Sequence, residues 1–155
     1  MSKDPEDIRA WHRLSPRITT SGRIEEKDIA RLAAIGVAHV INLAVDEHPE
    51  ALADEGAKLA LRGIRYTHIP VPFHAPDAAH YAAFVAALEA DDAPVHVHCI
   101  ANYRVSAFFC VYHQERGGMD EDGARQLMER HWVPEAINHP SARPWVEFLK
   151  RKNAP

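Results

Sequence analysis

The stretch V-H-V-H-C-I-A-N-Y-R-V-S-A-F-F-C-V-Y-H-Q, Val95 to Gln114, decides the fold. Pro94 introduces a short strand, Val95 to His98, rich in the β-branched residues that suit a pleated, buried surface. Arg104 to Gln114 follows with Val105, Ala107, Phe108, Phe109, Cys110, Val111 and Tyr112 apolar nearly all round, the pattern of a helix at the centre of a domain. Only Cys99 to Tyr103 separates the two. A buried strand feeding a buried helix through so short a loop implies α/β layers around a parallel sheet.

Working outward, Ile64 to Val71 alternates as a strand and is ended by Pro70 and Pro72, while Asp77 is the natural N-cap of a helix carrying Tyr81, Phe84, Val85 and Leu88. Val37 to Leu43 reads as a buried strand, behind a helix from Glu25 to Ile35 that starts after Thr20-Ser21-Gly22 and stops at Gly36. Pro49 opens a second helix closed by Gly63. His12-Arg13-Leu14 and Arg17-Ile18-Thr19, split by Ser15-Pro16, form a short hairpin or edge strand. Downstream, Gly117-Gly118 ends the central helix, Asp120 to Trp132 is amphipathic, and Pro144 begins a last helix with Trp145, Phe148 and Leu149. The expectation is one α/β domain over residues 1–155, three-layered, with a central mostly parallel sheet of about 4–5 strands flanked by helices.

A chain of 155 residues, 46% hydrophobic, is sized for a single core. Eighteen basic against twenty-two acidic residues give a net charge of -4, which offers no cationic footprint for nucleic acid or an anionic membrane. The run Lys150-Arg151-Lys152 reads as a solvated helix end. Met1 to Ala10 has no apolar signal segment, and no apolar run approaches the ~20 residues that span a bilayer, so a cytoplasmic setting is expected, with Cys99 and Cys110 reduced. His68, His74, His80, His96, His98, His113, His131 and His139 show no familiar zinc spacing, and no metal is expected.

The chemistry sits in H-C-I-A-N-Y-R-V-S, His98 to Ser106. A helix N-terminus presents unpaired N–H groups and a positive dipole end, which favour a thiolate at Cys99 and an oxyanion beside it. Arg104 can offer a planar fork of donors to that oxyanion. Cys110, well inside the helix, reads as an ordinary buried cysteine.

This loop resembles the active-site loop of the cysteine-dependent tyrosine and dual-specificity phosphatases. The flanks T-S-G-R (Thr20 to Arg23), V-I-N-L (Val40 to Leu43) and H-I-P-V (His68 to Val71) are similar to the small bacterial branch that includes a domain fused to β-lactamase-like hydrolases. The likeness runs over about residues 12–132. It implies Cys99 as nucleophile, Ile100, Ala101, Asn102, Tyr103 and Arg104 as phosphate binders, Ser106 as a helper of the departing thiolate, and no cofactor. The family places five residues between its Cys and Arg; here there are four, Ile100 to Tyr103. Either the loop is contracted or Arg104 has moved round the turn. A one-residue shift on a helix rotates a side chain by about 100°, so Arg104 faces an oxyanion only if the helix begins at or after it. Where the family commonly has Gly, this chain has Asn102, which tolerates the left-handed region and whose amide is available as an extra loop donor.

The resemblance puts the general acid on the loop after the strand ending at Val71, where Asp77 and His74 are the candidates, with Asp46 and Glu47 as outside alternatives. The expected substrates are a phosphorylated protein or small molecule. Two other readings stay open: a rhodanese-like sulfurtransferase carrying a Cys99 persulfide, for which the C-x-x-x-x-R spacing speaks, and a pseudophosphatase that binds phosphate without turnover.

Overall fold

The computed structural model describes residues 3–150. Five strands form one sheet in the order β1-β2-β5-β3-β4, from β1 (His12–Arg13), β2 (Ile18–Ser21), β3 (His39–Asn42), β4 (Arg65–His68) and β5 (Val95–His98). Only β1 is antiparallel; it makes the expected hairpin with β2, and β2 lies inside the sheet against β5. The register pairs Ser21 with His98, His98 with Asn42 and Asn42 with His68. The C-terminal ends of four parallel strands therefore finish level, and the loops that leave them share one edge. That edge is where ligands sit in open α/β sheets.

Alternation along the strands divides the core between the two faces. Val40 packs with Ile29 and Leu32 of α1 (Glu26–Ala34), Leu59 of α2 (Glu55–Ala60), and Ile24, Val37 and Ile64. Ile41 and Val97 face the other way, toward α3 (Ala78–Leu88), α4 (Tyr103–Arg116), α5 (Glu121–Glu129) and α6 (Arg143–Lys150). The larger core is strongly aromatic: Phe108 of α4 lies 5.4 Å from Phe84, 5.1 Å from Phe148 and 5.8 Å from Trp145, centroid to centroid. Every residue from Arg104 to Val111 is buried, as the apolar girth of that segment predicts.

Most expected elements form close to their predicted limits, including α3 behind its Asp77 cap, although β4 ends at His68 and not at Val71, and α5 ends at Glu129 and not at Trp132. The second helix departs furthest. It begins at Glu55 and not at Pro49, because hydrogen-bonded turns occupy His48 to Ala51 and Asp54 enters the helix in the left-handed region at φ 54. Thr20 and Ser21 belong to β2, and α1 is instead capped by a reciprocal Glu25–Asp28 box. Short helical turns at Pro134–Ala136 and Pro140–Ala142 were not expected. Arg151 and Lys152 lie outside the described residues. Among the described residues no helix is long and apolar enough to cross a membrane.

Histidines on two strands are held neutral. His96 is fully buried, with Thr19 and Ser21 hydroxyls 2.8 Å from its two ring nitrogens, and burial drives its pKa well below the ordinary value. His12 on the edge strand lies 3.1 Å from His131 and receives an Arg130 N–H at 2.9 Å; burial pushes His12 down and His131 down to about 4. A histidine whose folded pKa is depressed binds fewer protons than it does in the unfolded chain. Its contribution to stability is therefore complete above about pH 6.5 and lost as pH falls toward about 4. We expect the Tm to fall across that window, and His131→Gln to flatten part of the fall in calorimetric scans.

Candidate active site

The loop between β5 and α4 is shaped from behind. The Ile100 carbonyl accepts the Arg23 amide at 2.9 Å, and a Cβ on Gly22 would stand 2.4 Å from that oxygen, so only glycine allows the approach. Asn102 adopts φ 66, ψ 15, the left-handed conformation expected of a glycine substitute. Its side chain does not supply a loop donor as expected: the amide donates to the Ala10 carbonyl at 2.9 Å and the Thr20 hydroxyl at 3.2 Å, tying the loop to β2. Thr20, Gly22 and Arg23 of the T-S-G-R segment thus all serve the loop from its outer side. The amides of Ile100 to Val105 meet no acceptor among the described residues. Successive open N–H groups at the head of a 14-residue helix form a concavity of the kind that can cradle an anion.

Cys99 lies at the start of this loop and is fully buried. Cys110 is buried too, in mid-helix, with the Gln114 amide 3.6 Å from its sulfur. The helix starts at Tyr103, one residue earlier than an inward-facing Arg104 was expected to need, so Arg104 already lies in the first turn. Its guanidinium is buried, donates through Nη1 to the Val71 carbonyl at 2.9 Å, sits 5.9 Å from the Phe73 ring centroid, and keeps a buried Nε with no acceptor. The Ser106 hydroxyl donates to the Tyr103 carbonyl at 3.2 Å.

The segment after β4 is pinned twice, by Arg104 at Val71 and by the Trp145 indole N–H, 2.6 Å from the Phe73 carbonyl. Tyr103, the first residue of α4, stacks flat on Trp132, with centroids 4.5 Å apart and planes 2° from parallel. His74, beyond Phe73, is exposed. Asp77 is exposed as well and caps α3, accepting the His80 amide at 2.9 Å. Asp46 reaches within 3.9 Å of His68 from the loop after β3. Among the described residues no three His, Cys, Asp or Glu side chains converge as metal ligands would.

Sequence reasoning missed the partner of His98. Its Nε2 lies 2.5 Å from Glu55 Oε2, both side chains are under 5% exposed, and its Nδ1 is 3.2 Å from the Cys99 carbonyl. Asn42 continues the network, donating to the Tyr66 hydroxyl at 3.1 Å and more distantly to Glu55. Burial pushes the Tyr66 phenol up to about 12, reinforced by the Glu55 charge. The polar Asn42 within the apolar V-I-N-L run was the one hint; nothing in the spacing marks Glu55.

This fold is that of the cysteine-dependent tyrosine and dual-specificity phosphatases. TpbA of P. aeruginosa, a structure of which holds phosphotyrosine, is similar with a TM-score of 0.73 at 22% identity over 98% of this chain and 92% of its own. Tk-PTP gives a TM-score of 0.69 at 20% identity, covering 92% of this chain and 97% of its own. A candidate phosphatase of the DUF442 group from Shewanella putrefaciens matches at 32% identity and a TM-score of 0.82, covering 96% of both chains. No curated protein matches the sequence. Residues 8–115 match the β-lactamase hydrolase-like protein, phosphatase-like domain, and the chain belongs to that family.

The Asn102 geometry yields an ordering of stabilities. Asn102→Gly keeps the backbone but removes the bonds to the half-buried Ala10 carbonyl and the buried Thr20 hydroxyl, costing about 1–3 kcal/mol. Asn102→Ala adds the left-handed penalty of about 1–2 kcal/mol. Urea midpoints should rank wild type above Gly above Ala.

Proposed function

We propose that this phosphatase-family chain acts as one domain that hydrolyses phosphate monoesters through a phosphocysteine at Cys99. The observation that supports this most is the loop itself: open amides from Ile100 to Val105 beside Cys99, with a buried, unpartnered Arg104 Nε in the same first turn. The thiolate attacks phosphorus, forming the S–P bond as the bond to the leaving oxygen breaks. The amides of Ile100, Ala101, Asn102 and Tyr103 hold the three remaining oxygens, joined by the acceptor-free Nε of Arg104, whose long side chain makes up for a helix that begins one residue earlier than an inward-facing arginine was expected to need. Water then attacks the phosphocysteine, releasing inorganic phosphate and restoring the thiolate, while Ser106 serves the departing sulfur. No cofactor takes part. A reducing cytoplasm suits two free cysteines, and the phosphotyrosine bound by TpbA makes phosphorylated proteins, beside small phosphate esters, the substrates to test.

The leaving oxygen takes its proton from the segment after β4. His74 follows the two pinned carbonyls directly, whereas the Asp77 carboxylate is engaged as a helix cap. That engagement also supports the second reading, phosphate binding without turnover, should neither group deliver a proton.

Cys99→Ser should abolish release of phosphate from p-nitrophenyl phosphate and phosphotyrosine peptide, and Arg104→Ala should lower kcat/KM about 100- to 1000-fold. Thiocyanate formation from thiosulfate and cyanide, with no phosphate release, would establish the sulfurtransferase instead; vanadate binding without turnover would establish the binding module. The acid is found by leaving group. His74→Ala should slow phenyl phosphate by at least about 100-fold while sparing p-nitrophenyl phosphate, whose leaving group needs little protonation. The same pattern in Asp77→Asn, with His74→Ala unaffected, would move the role to Asp77.

A further inference from the structure

We propose that Glu55 is a positioning residue for the catalytic loop, acting through His98 on the peptide that joins Cys99 to Ile100. The proposal rests on Cys99 being the nucleophile. His98 has two ring nitrogens and two fixed neighbours: the Cys99 carbonyl 3.2 Å from Nδ1 and the Glu55 carboxylate 2.5 Å from Nε2. A carbonyl only accepts, so Nδ1 must carry a proton for the contact to be attractive. Which nitrogen of a neutral imidazole is protonated depends on the partner of the other. Glu55 supplies that partner: the carboxyl–imidazole pair holds two protons, one shared between Oε2 and Nε2 across 2.5 Å and the other on Nδ1, where it points at the Cys99 carbonyl.

The consequence follows from peptide planarity. The Cys99 carbonyl and the Ile100 N–H belong to one rigid unit and point in opposite directions. Holding the carbonyl toward His98 turns the Ile100 N–H the other way, among the open amides of the loop. The surroundings favour this state. His96, whose ring is stacked 6.2 Å from His98, is neutral through burial, and Tyr66 keeps its proton up to about pH 12. Asn42 accepts the Ala44 amide at 2.9 Å and steadies the far side of Glu55. The left-handed entry at Asp54 places Glu55 at the first position of α2, only 4% exposed.

The test is the pH dependence of iodoacetamide modification at Cys99, resolved from Cys110 by peptide mass spectrometry, with folding checked by circular dichroism. Glu55→Ala should raise the midpoint and slow alkylation near pH 6 by about tenfold, since rate follows the thiolate fraction. Glu55→Gln, whose amide can donate to Nε2 and keep the proton on Nδ1, should stay within about threefold of wild type. His98→Asn/Glu55→Ala should also stay within about threefold, because the asparagine amide can donate to the Cys99 carbonyl without Glu55. Wild-type alkylation in Glu55→Ala would overturn the proposal, as would a double variant as slow as Glu55→Ala. Should Glu55→Ala fail to fold, Glu55→Met, which fills the space but offers Nε2 no donor, takes its place, with the same tenfold slowing expected and a wild-type rate overturning the proposal. The expected shifts in a protein that releases no phosphate would sustain the positioning role while removing the hydrolase reading. Wild-type Cys99 reacting no faster than Cys110 would remove both.

Discussion

A loop that binds anions through its amides must leave those amides unspent, and its carbonyls must then be satisfied elsewhere. Here the decisive bond is the one from the Arg23 amide to the Ile100 carbonyl. It draws the loop against β2 so closely that no side chain fits at position 22. Asn102 is fixed to the same strand and to the Ala10 carbonyl, and its left-handed backbone starts the helix. The positive end of α4, the buried position of Cys99 and the direction of Arg104 all depend on this arrangement. A buried polar group without a partner costs on the order of 1–3 kcal/mol, so a site that leaves amides open is stable only when its other polar atoms are paired.

Arg104 shows how a shortened spacing is accommodated. It lies inside the first helical turn, yet a long side chain brings its guanidinium to the Val71 carbonyl and the Phe73 ring. One N–H is used for that contact and the buried Nε is not. The arginine therefore links two segments that the proposed chemistry needs together: the loop of open amides and the chain that leaves β4. A lysine, with a single compact ammonium, has no planar fork with which to do both.

Local features were legible in the sequence and distant pairings were not. The limits of β5 follow from Pro94 and the Val-His alternation, the Asp77 cap from its place before an apolar helical stripe, and the Asn102 conformation from its position in the loop. Each is decided by residues adjacent in the chain. The Arg104 contact joins residues 33 apart and the Glu55–His98 pair residues 43 apart, and neither has a sequence period to betray it. Pro49 misled because proline suits the first turn of a helix and a surface turn equally; a turn formed, and α2 was delayed to Glu55. The exposed Asp77 and His74 were correctly placed after β4, but capping of α3 could not be weighed against catalysis from spacing alone.

The family match ends at residue 115, yet three of the aromatic supports lie beyond it. Trp132 lies flat against Tyr103 at the head of α4, and Trp145 of α6 holds the Phe73 carbonyl. Phe148 completes the ring packing around Tyr81 and Phe108. The segment that defines kinship is therefore smaller than the unit that must fold. A chain trimmed to it would keep Cys99, Arg104 and every loop amide in the sequence while exposing the aromatic floor on which they rest.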